Sequence, residues 1–194
     1  SSSLDCVRVD YEQAFYQMTY HLLEIGRKNI AYLSGPEDSP LYDINMEACK
    51  RALADYGLKL QENLLEWAGY TILEGYEAMK KILVKKIPVD GVVCVNDQVA
   101  AGALHACRES GKESDRRIAV VGFGGVAMSI ITSPSITTMI APRYQIGYES
   151  AKLLFGRISG DEREAQERIL LSHMAIRAST LRTAFKKIDA MFEE

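Results

Sequence analysis

The sequence is short of most features that announce a function directly. No stretch approaches the ~18 consecutive apolar residues that a membrane helix needs, so a helical membrane protein is excluded. There are four cysteines, Cys6, Cys49, Cys94 and Cys107. None forms a C-x-x-C pair and none has a histidine at metal-ligand spacing, so neither a disulfide framework nor a metal site is predicted. They read as thiols of a reducing compartment, which points to the cytoplasm. The three histidines, His21, His105 and His173, belong to no H-E-x-x-H run, and neither G-x-S-x-G nor a Walker A run occurs. The acidic pair Asp161-Glu162 sits in a polar loop, where carboxylates are usually solvated. No enzyme is therefore expected. Basic residues are not in excess either: Lys and Arg number 23 against 26 Asp and Glu, for a net charge of -3. That argues against a nucleic-acid-binding module within these residues. The largest basic cluster, Lys80-Lys81 with Lys85-Lys86, has the spacing of a solvated helix face. The opening SSSLDC has no basic segment before an apolar one, so it does not read as a signal peptide. Lacking an initiator Met, it reads as the cut end of a longer chain.

What is present is alternation. Phe15, Met18, Leu22 and Ile25 recur at helical spacing and Gly26 closes that helix. The apolar run Asn29 to Gly35 reads as a buried strand ending in a Gly-Pro turn. Ile44 to Tyr56 repeats the helical pattern. A second strand is expected at Leu64 to Tyr70, a helix at Leu73 to Val84, a third strand at Asp90 to Val95, a helix at Asp97 to Glu109 and a fourth strand at Arg117 to Phe123. Short apolar strands separated by amphipathic helices indicate an α/β fold, with a parallel sheet flanked by helices on both faces. The last third differs: an extended segment through Ser133 to Ile140, a helix at Arg143 to Ile158, a candidate strand at Arg168 to His173 and a terminal helix marked by Leu181, Phe185, Ile188 and Phe192. Ligands of parallel sheets bind beyond the carboxyl ends of the strands. The residues to inspect are thus Ser34 to Asn45, Tyr70 and Thr71, Asn96 to Gln98, and Gly122 to Ser129.

One of these stretches imitates a nucleotide site. Gly122-Phe123-Gly124-Gly125-Val126-Ala127 follows a strand and satisfies G-x-G-x-x-A. A dinucleotide also requires a helix opening on the glycines and an acidic residue about 20 positions on. The run VAMSIITSPSI is short, β-branched and reaches Pro134, and Ala141 and Pro142 stand where the acid belongs. The match fails on both counts, and no cofactor is expected.

The stretch DGVVCVNDQVAAGALHACRESGKESDRRIAVVGFGG, from Asp90 to Gly125, resembles the effector-binding core of LacI/GalR-family transcriptional regulators. Their pattern runs strand, N-D-x-x-A-x-G-A, helix, loop, and a strand ending V-G-[FY]-D. ITSPSITTMIAPRYQIGYESAKLL is similar to the family's P-x-L-T-T-[VI] segment and the helix after it. RILLSHMAIRAST resembles its closing R-x-S-T, and VDYEQAFYQMTYHLLEIGRKNIAYLSGP its first helix, strand and Gly-Pro turn. The resemblance spans residues 7 to 181 in the family's order.

It implies a fold of the periplasmic binding protein type I kind, mainly its C-terminal lobe. Residues 1–181 form the effector-binding region, with the crossover at 136–160 and a helical tail at 182–194. The N-terminal helix-turn-helix DNA-binding domain and most of the first lobe lie outside the sequence. The crossover helix should then carry an apolar face short of its usual partners. The implied function is sensing a small sugar-like effector between lobes and coupling it to operator affinity in a homodimeric repressor. DNA contact would come only through the missing domain. A periplasmic-type sugar-binding protein for uptake shares the fold and is the alternative.

Site residues follow from the same resemblance. Asn96 matches an effector-binding Asn, whose amide both donates and accepts; it or Asp97 could instead cap the next helix, and Asp97 is assigned that role. Gln98 follows it. Tyr70 falls where members place an aromatic against the ligand, with Trp67 as competitor. Asn45 stands in place of a clamping Arg, and Gly124 in place of the Asp of V-G-[FY]-D. Losing both charges together fits a neutral effector, and Gly124 would leave room for a larger one. The implied dimer interface takes Ala101, Leu104 and His105 from one helix, with Met128 and Ile130 beyond the glycine loop, and Ala100 and Ile131 beside them.

Overall fold

The computed structural model describes residues 4–110 and 118–181. The terminal helix expected at 182–194 lies outside these residues.

A six-stranded sheet forms the centre. In chain order its strands are β2 (Ile30–Ser34), β3 (Leu65–Trp67), β4 (Gly91–Cys94), β5 (Ala119–Gly124), β6 (Thr137–Ile140) and β8 (His173–Ala175). The order across the sheet is β3-β2-β4-β5-β6-β8. All neighbours are parallel except β8, which runs antiparallel to β6. The wholly parallel sheet expected from the alternating pattern therefore has one antiparallel edge. The candidate strand at Arg168 to His173 is two strands, β7 (Glu167–Leu170) and β8, belonging to different sheets. β7 pairs with β1 (Cys6–Val9), a strand the sequence pattern does not reveal.

Both sheet faces are covered. α1 (Tyr11–Glu24) and α2 (Tyr42–Asp55) bury Phe15, Met18, Leu22, Met46 and Leu53 against Tyr32, Val93 and Val121. α3 (Ile72–Val84) and α4 (Asp97–Glu109) bury Met79, Ile82, Val99 and Leu104 against Leu33, Val92 and Val120. Strands buried on both sides need apolar residues at consecutive positions rather than at alternate ones, which is why they read as continuous runs. α3 starts in a reciprocal capping box, Thr71 with Glu74. α3 and α4 approach closely enough that a Cβ on Gly102 would lie 2.0 Å from the Ile72 carbonyl. Only a residue without a side chain fits that crossing.

The closing R-x-S-T is a set of internal ties. The Ser179 hydroxyl donates to the Val120 carbonyl at 2.6 Å and accepts from the Thr137 N–H at 2.8 Å. Arg177 donates to the Ile136 carbonyl and to the Ser129 hydroxyl. The Thr180 hydroxyl bridges Thr137 and the ring of His21. The last described segment is thus fastened to β5, β6 and α1 through buried polar groups that only this arrangement satisfies.

α6 (Arg143–Ile158) leaves the sheet and packs on β1 and β7. Arg157 holds Asp5 through two nitrogens at 2.8 Å, and the Gln166 N–H also reaches that carboxylate. The Arg157 guanidinium holds the Asp5 carboxyl down at about 2. Most of α6 is uncovered, with Tyr144 84% and Ile158 71% exposed and Tyr148, Leu154 and Phe155 beside them. This is the underpartnered apolar face that the sequence leads one to expect.

Two consequences can be measured. Ser179→Ala leaves the buried Thr137 N–H and Val120 carbonyl without this partner, and should lower unfolding stability by about 1–3 kcal/mol in urea denaturation. Burial pushes the His21 ring below its ordinary pKa, so the neutral form is the one that folds. That stability is complete above about pH 6.5 and declines as the unfolded chain takes up the proton below it. The urea midpoint should fall between pH 7.5 and 5.5, and fall less in His21→Gln.

Candidate functional site

The sheet turns on itself between β2 and β4. From β2 the chain runs to β3 on one side, then returns to β4 on the other. At such a switch the connections leave in opposite directions and open a crevice at the strand ends. A cavity of about 290 Å³ lies there, near the lower end of the ~300–1,000 Å³ common for small-molecule sites. Its wall is built from the carboxyl ends of three strands: Ser34 ending β2 with Gly35 after it, Val95 and Asn96 after β4, and Phe123 on β5. α1 adds Tyr11 and Phe15, and α2 adds Tyr42, Asn45, Met46 and Cys49. None of the lining side chains is formally charged.

Three sequence-derived candidates meet at this cavity: Asn45, Tyr70 and Asn96. Asn45 is 9% exposed and its Oδ1 has no hydrogen-bond partner. A buried amide oxygen left unpaired is costly. Tyr70 lies across Gly35, and its hydroxyl donates to the Ser39 hydroxyl at 3.2 Å. A Cβ on Gly35 would come within 3.1 Å of the Tyr70 ring. Asn96 performs the helix cap: its Oδ1 accepts from the Val99 N–H at 2.8 Å and its Nδ2 donates to the Tyr70 carbonyl at 2.9 Å. One amide N–H of Asn96 remains beyond those bonds. The cap role that the sequence suggested for Asp97 is therefore filled by its neighbour.

Asp97 has a different task. Its side chain is buried, accepting from the Thr138 hydroxyl at 2.6 Å and from the Val126 N–H at 2.8 Å. Burial pushes this carboxyl above the ordinary carboxylate range, opposed by the hydrogen bonds from Thr138, Val126 and Gly125. The glycine loop is thus wrapped around a buried carboxylate, and a Cβ on Gly122 would lie 2.5 Å from Asp97 Oδ1. From the other side, Arg143 at the start of α6 donates to the carbonyls of Gly124 and Gly125.

Two candidates do not reach the cavity. Gln98 is exposed on the helix surface, one residue past the turn that aims Asn96 inward. Gly124 is not among the lining residues either. Its φ of 120° is a conformation that side chains rarely adopt, which gives glycine a backbone reason there. α5 (Met128–Ile131) is only four residues long, so the loop does not lead into the long helix of a dinucleotide fingerprint.

Sequence reading did not place Tyr11 and Phe15 at the site, and it covered Tyr42 and Phe123 only within the strand-end stretches to inspect. Tyr11 and Phe15 pack on Phe123 at ring separations of 5.3 and 5.9 Å. Tyr42 lines the cavity opposite and packs on Trp67 at 4.6 Å. Trp67 itself is not among the lining residues, whereas Tyr70 is. Helical spacing marked Phe15 only as inward-facing, because periodicity gives the inward face but not where a core opens.

The expected interface residues separate in the same way. Ala101 and Met128 are half-buried, His105 is exposed beside the Tyr76 ring at 5.3 Å, and Ile130 and Ile131 are exposed, Ile131 by 78%. Leu104 faces the other way, buried in the α3/α4 core. One helical step along α4 turns a side chain inward, so it is unavailable for an interface. Ala100 is buried as well.

A family model described as a periplasmic binding protein-like domain matches residues 19–180. The chain is 28% identical over 177 residues to the HTH-type transcriptional repressor CytR of Escherichia coli strain K12, covering 91% of this chain and 52% of that protein. It is 30% identical over 163 residues to the HTH-type transcriptional regulator CelR of Thermobifida fusca, covering 84% and 48%. A solved transcriptional regulator CelR–cellobiose complex superposes with a TM-score of 0.85 at 29% identity, over 91% of this chain and 54% of that one. The chain spans about half the length of the curated relatives it matches.

The loop conformation makes a direct forecast. Gly124→Asp puts back the carboxylate that the family pattern carries, but at a φ of 120° it should destabilise by about 1–3 kcal/mol. Urea denaturation of the variant checks this, and unchanged stability would contradict the backbone account.

Proposed function

The chain belongs to the periplasmic binding protein-like domain family, as the effector-binding region of a LacI/GalR-type regulator, and from that premise we propose that it senses a neutral sugar-like effector for a repressor of sugar-utilisation genes. The observation that carries this reading is the uncharged cavity at the strand ends, lined by the amides Asn45 and Asn96 and by aromatic rings. Sugars offer hydroxyls that donate and accept, and apolar faces that pack on aromatic rings. Asn45, Asn96 and Ser39 supply the polar partners and Tyr70 a ring. A charged effector would meet no countercharge on this wall. The CelR–cellobiose complex is a solved relative with a sugar ligand.

In this reading the described residues are mainly the second of two lobes. The uncovered face of α6 supports it: Tyr144, Tyr148, Leu154, Phe155 and Ile158 are too many large apolar groups for a solvated helix. A first lobe would bury them and close over the cavity. Arg143 then links that lobe to the glycine loop, so an effector that favours the closed arrangement shifts the population of lobe orientations. Ala101, His105, Met128, Ile130 and Ile131 form the homodimer face, and Ile130 and Ile131 support it as exposed aliphatic groups on one short helix. Operator DNA is contacted by a helix-turn-helix segment outside these residues. Among the described residues no helix is long and apolar enough to cross a membrane, and the cytoplasm is the proposed compartment.

Trp67 supplies an internal probe, being the one tryptophan in the sequence and packed on the cavity-lining Tyr42. Titrating the full chain with a panel of neutral mono- and disaccharides should change its tryptophan fluorescence and release heat for at least one. Asn45→Ala should weaken that binding by about tenfold, as expected for one buried hydrogen bond. Absence of any binding across the panel defeats the proposal.

A further inference from the structure

An exposed indole stands just outside the cavity. Tyr42 lines the cavity from α2 and also packs on Trp67, which does not line it, at a ring separation of 4.6 Å and an interplanar angle of 44°. Trp67 ends β3 and pairs in register with Ser34, which ends β2 and does line the cavity. Both therefore stand at the carboxyl end of the sheet. β3 is the edge strand, so no further strand covers Trp67. The residue is 37% exposed, and its indole N–H donates to nothing among the described residues.

Two acids flank this pair of rings. Glu37, in the turn after β2, and Asp43, in the first turn of α2, are both exposed. Burial, and after it the carboxylates of Asp43 and Glu37, push the Tyr42 hydroxyl above its ordinary range. Both acids are thus within electrostatic reach of Tyr42. Neither has a hydrogen-bond or ion-pair partner among the described residues.

An aromatic face, a free N–H and free carboxylate acceptors suit a neutral sugar ring. The apolar face of the sugar packs on the indole, and the hydroxyls around its edge donate to the carboxylates. An anionic ligand would be repelled there, and a purely apolar one would desolvate the carboxylates without pairing them. The size of the cavity bears on the same point. About 290 Å³ suits a ligand at the small end of the usual range. A further sugar ring joined to that ligand then lies outside, and Tyr42 leads from the wall to Trp67.

We propose that Trp67, with Glu37 and Asp43 beside Tyr42, forms an outer sugar subsite, so that the effector is an oligosaccharide with one end seated in the cavity and the next ring stacked on the Trp67 indole. The inference rests on the sugar-sensing reading above and deepens it, because a contact outside the cavity selects for chain length.

The test is a calorimetric titration of the full chain with homologous mono-, di- and trisaccharides of each neutral sugar in the panel. Affinity should rise about tenfold at the step that adds the outer ring, the return for covering an indole. Trp67→Ala should reduce that step to less than about twofold and leave the affinity for the shorter sugar within about twofold of wild type. Trp67→Phe, which keeps a ring against Tyr42, should retain part of the step. Trp67 is the one tryptophan in the sequence, so its emission reports on the subsite directly. The longer sugar should shield it from acrylamide quenching and the shorter should not, a comparison that needs no variant and decides should Trp67→Ala fail to fold. A wild-type affinity that does not rise with length overturns the outer subsite and leaves the sensing function standing. A rise that survives Trp67→Ala, or quenching unchanged by the longer sugar, overturns the placement on Trp67. Binding of no saccharide overturns both readings together.

Discussion

A single buried carboxylate organises the ligand end of this molecule. Asp97 begins α4, yet its oxygens accept from Thr138 on β6 and from Val126 in the loop after β5. One side chain thereby joins a helix, a strand and a loop. Burial disfavours the charge, and the hydrogen bonds offset that cost only while all three elements keep their places. The glycines around it are a consequence. Gly122 has no room for a Cβ beside the carboxylate, and the loop beyond it turns through positive φ at Gly124 and Gly125. With the loop so held, Phe123 is delivered to the cavity wall, where Tyr11 and Phe15 close on it. What resembled a cofactor fingerprint is the steric outcome of packing backbone around an acid.

The cavity follows from the strand order. Because β2 is flanked by β3 and β4, the α2 and α3 sides of the sheet diverge above it, and the residues at three strand ends face a common space. Polarity is graded along that space by burial. Residues on turns keep side-chain hydrogen-bonding capacity, while residues within helices and strands spend theirs internally, as Tyr32 does on Thr19. A cavity lined by polar turn residues and apolar helix and strand residues thus needs no special construction; it is what the end of a sheet buried on both faces offers.

The fold is also fastened from both ends of the chain. Ser179 and Thr180 lock onto β5, β6 and α1, and Asp5 binds Arg157 across the small β1/β7 unit. Between these ties runs α6, anchored to the glycine loop through Arg143 and largely bare along its length. A helix that touches the site at its first residue and presents an open apolar face further along is suited to carry a change at the loop to whatever covers that face.

Much of this was legible in the chain beforehand. The continuous apolar runs determined a parallel sheet covered on both faces, since only strands buried on both sides can dispense with polar residues. Helical spacing located α1, α2, α3, α4 and α6, and the strand-end positions of Asn96 and Tyr70 marked two cavity residues. Other features had no sequence signature. The short β1 and β7 depend on each other across more than a hundred and fifty residues, and no local pattern announces such a pair. Neither periodicity nor motif matching separated Leu104, which faces the core, from Ala101 and His105, which do not, because adjacent helical positions differ in direction and only packing says which direction is inside. Phe15 carried the correct inward phase, but inwardness is common to a filled core and an open one. Sequence alone therefore determined which residues turn from water. Only the tertiary structure decided where they fail to meet one another, because an unfilled space is a property of the distances between elements and of no residue by itself.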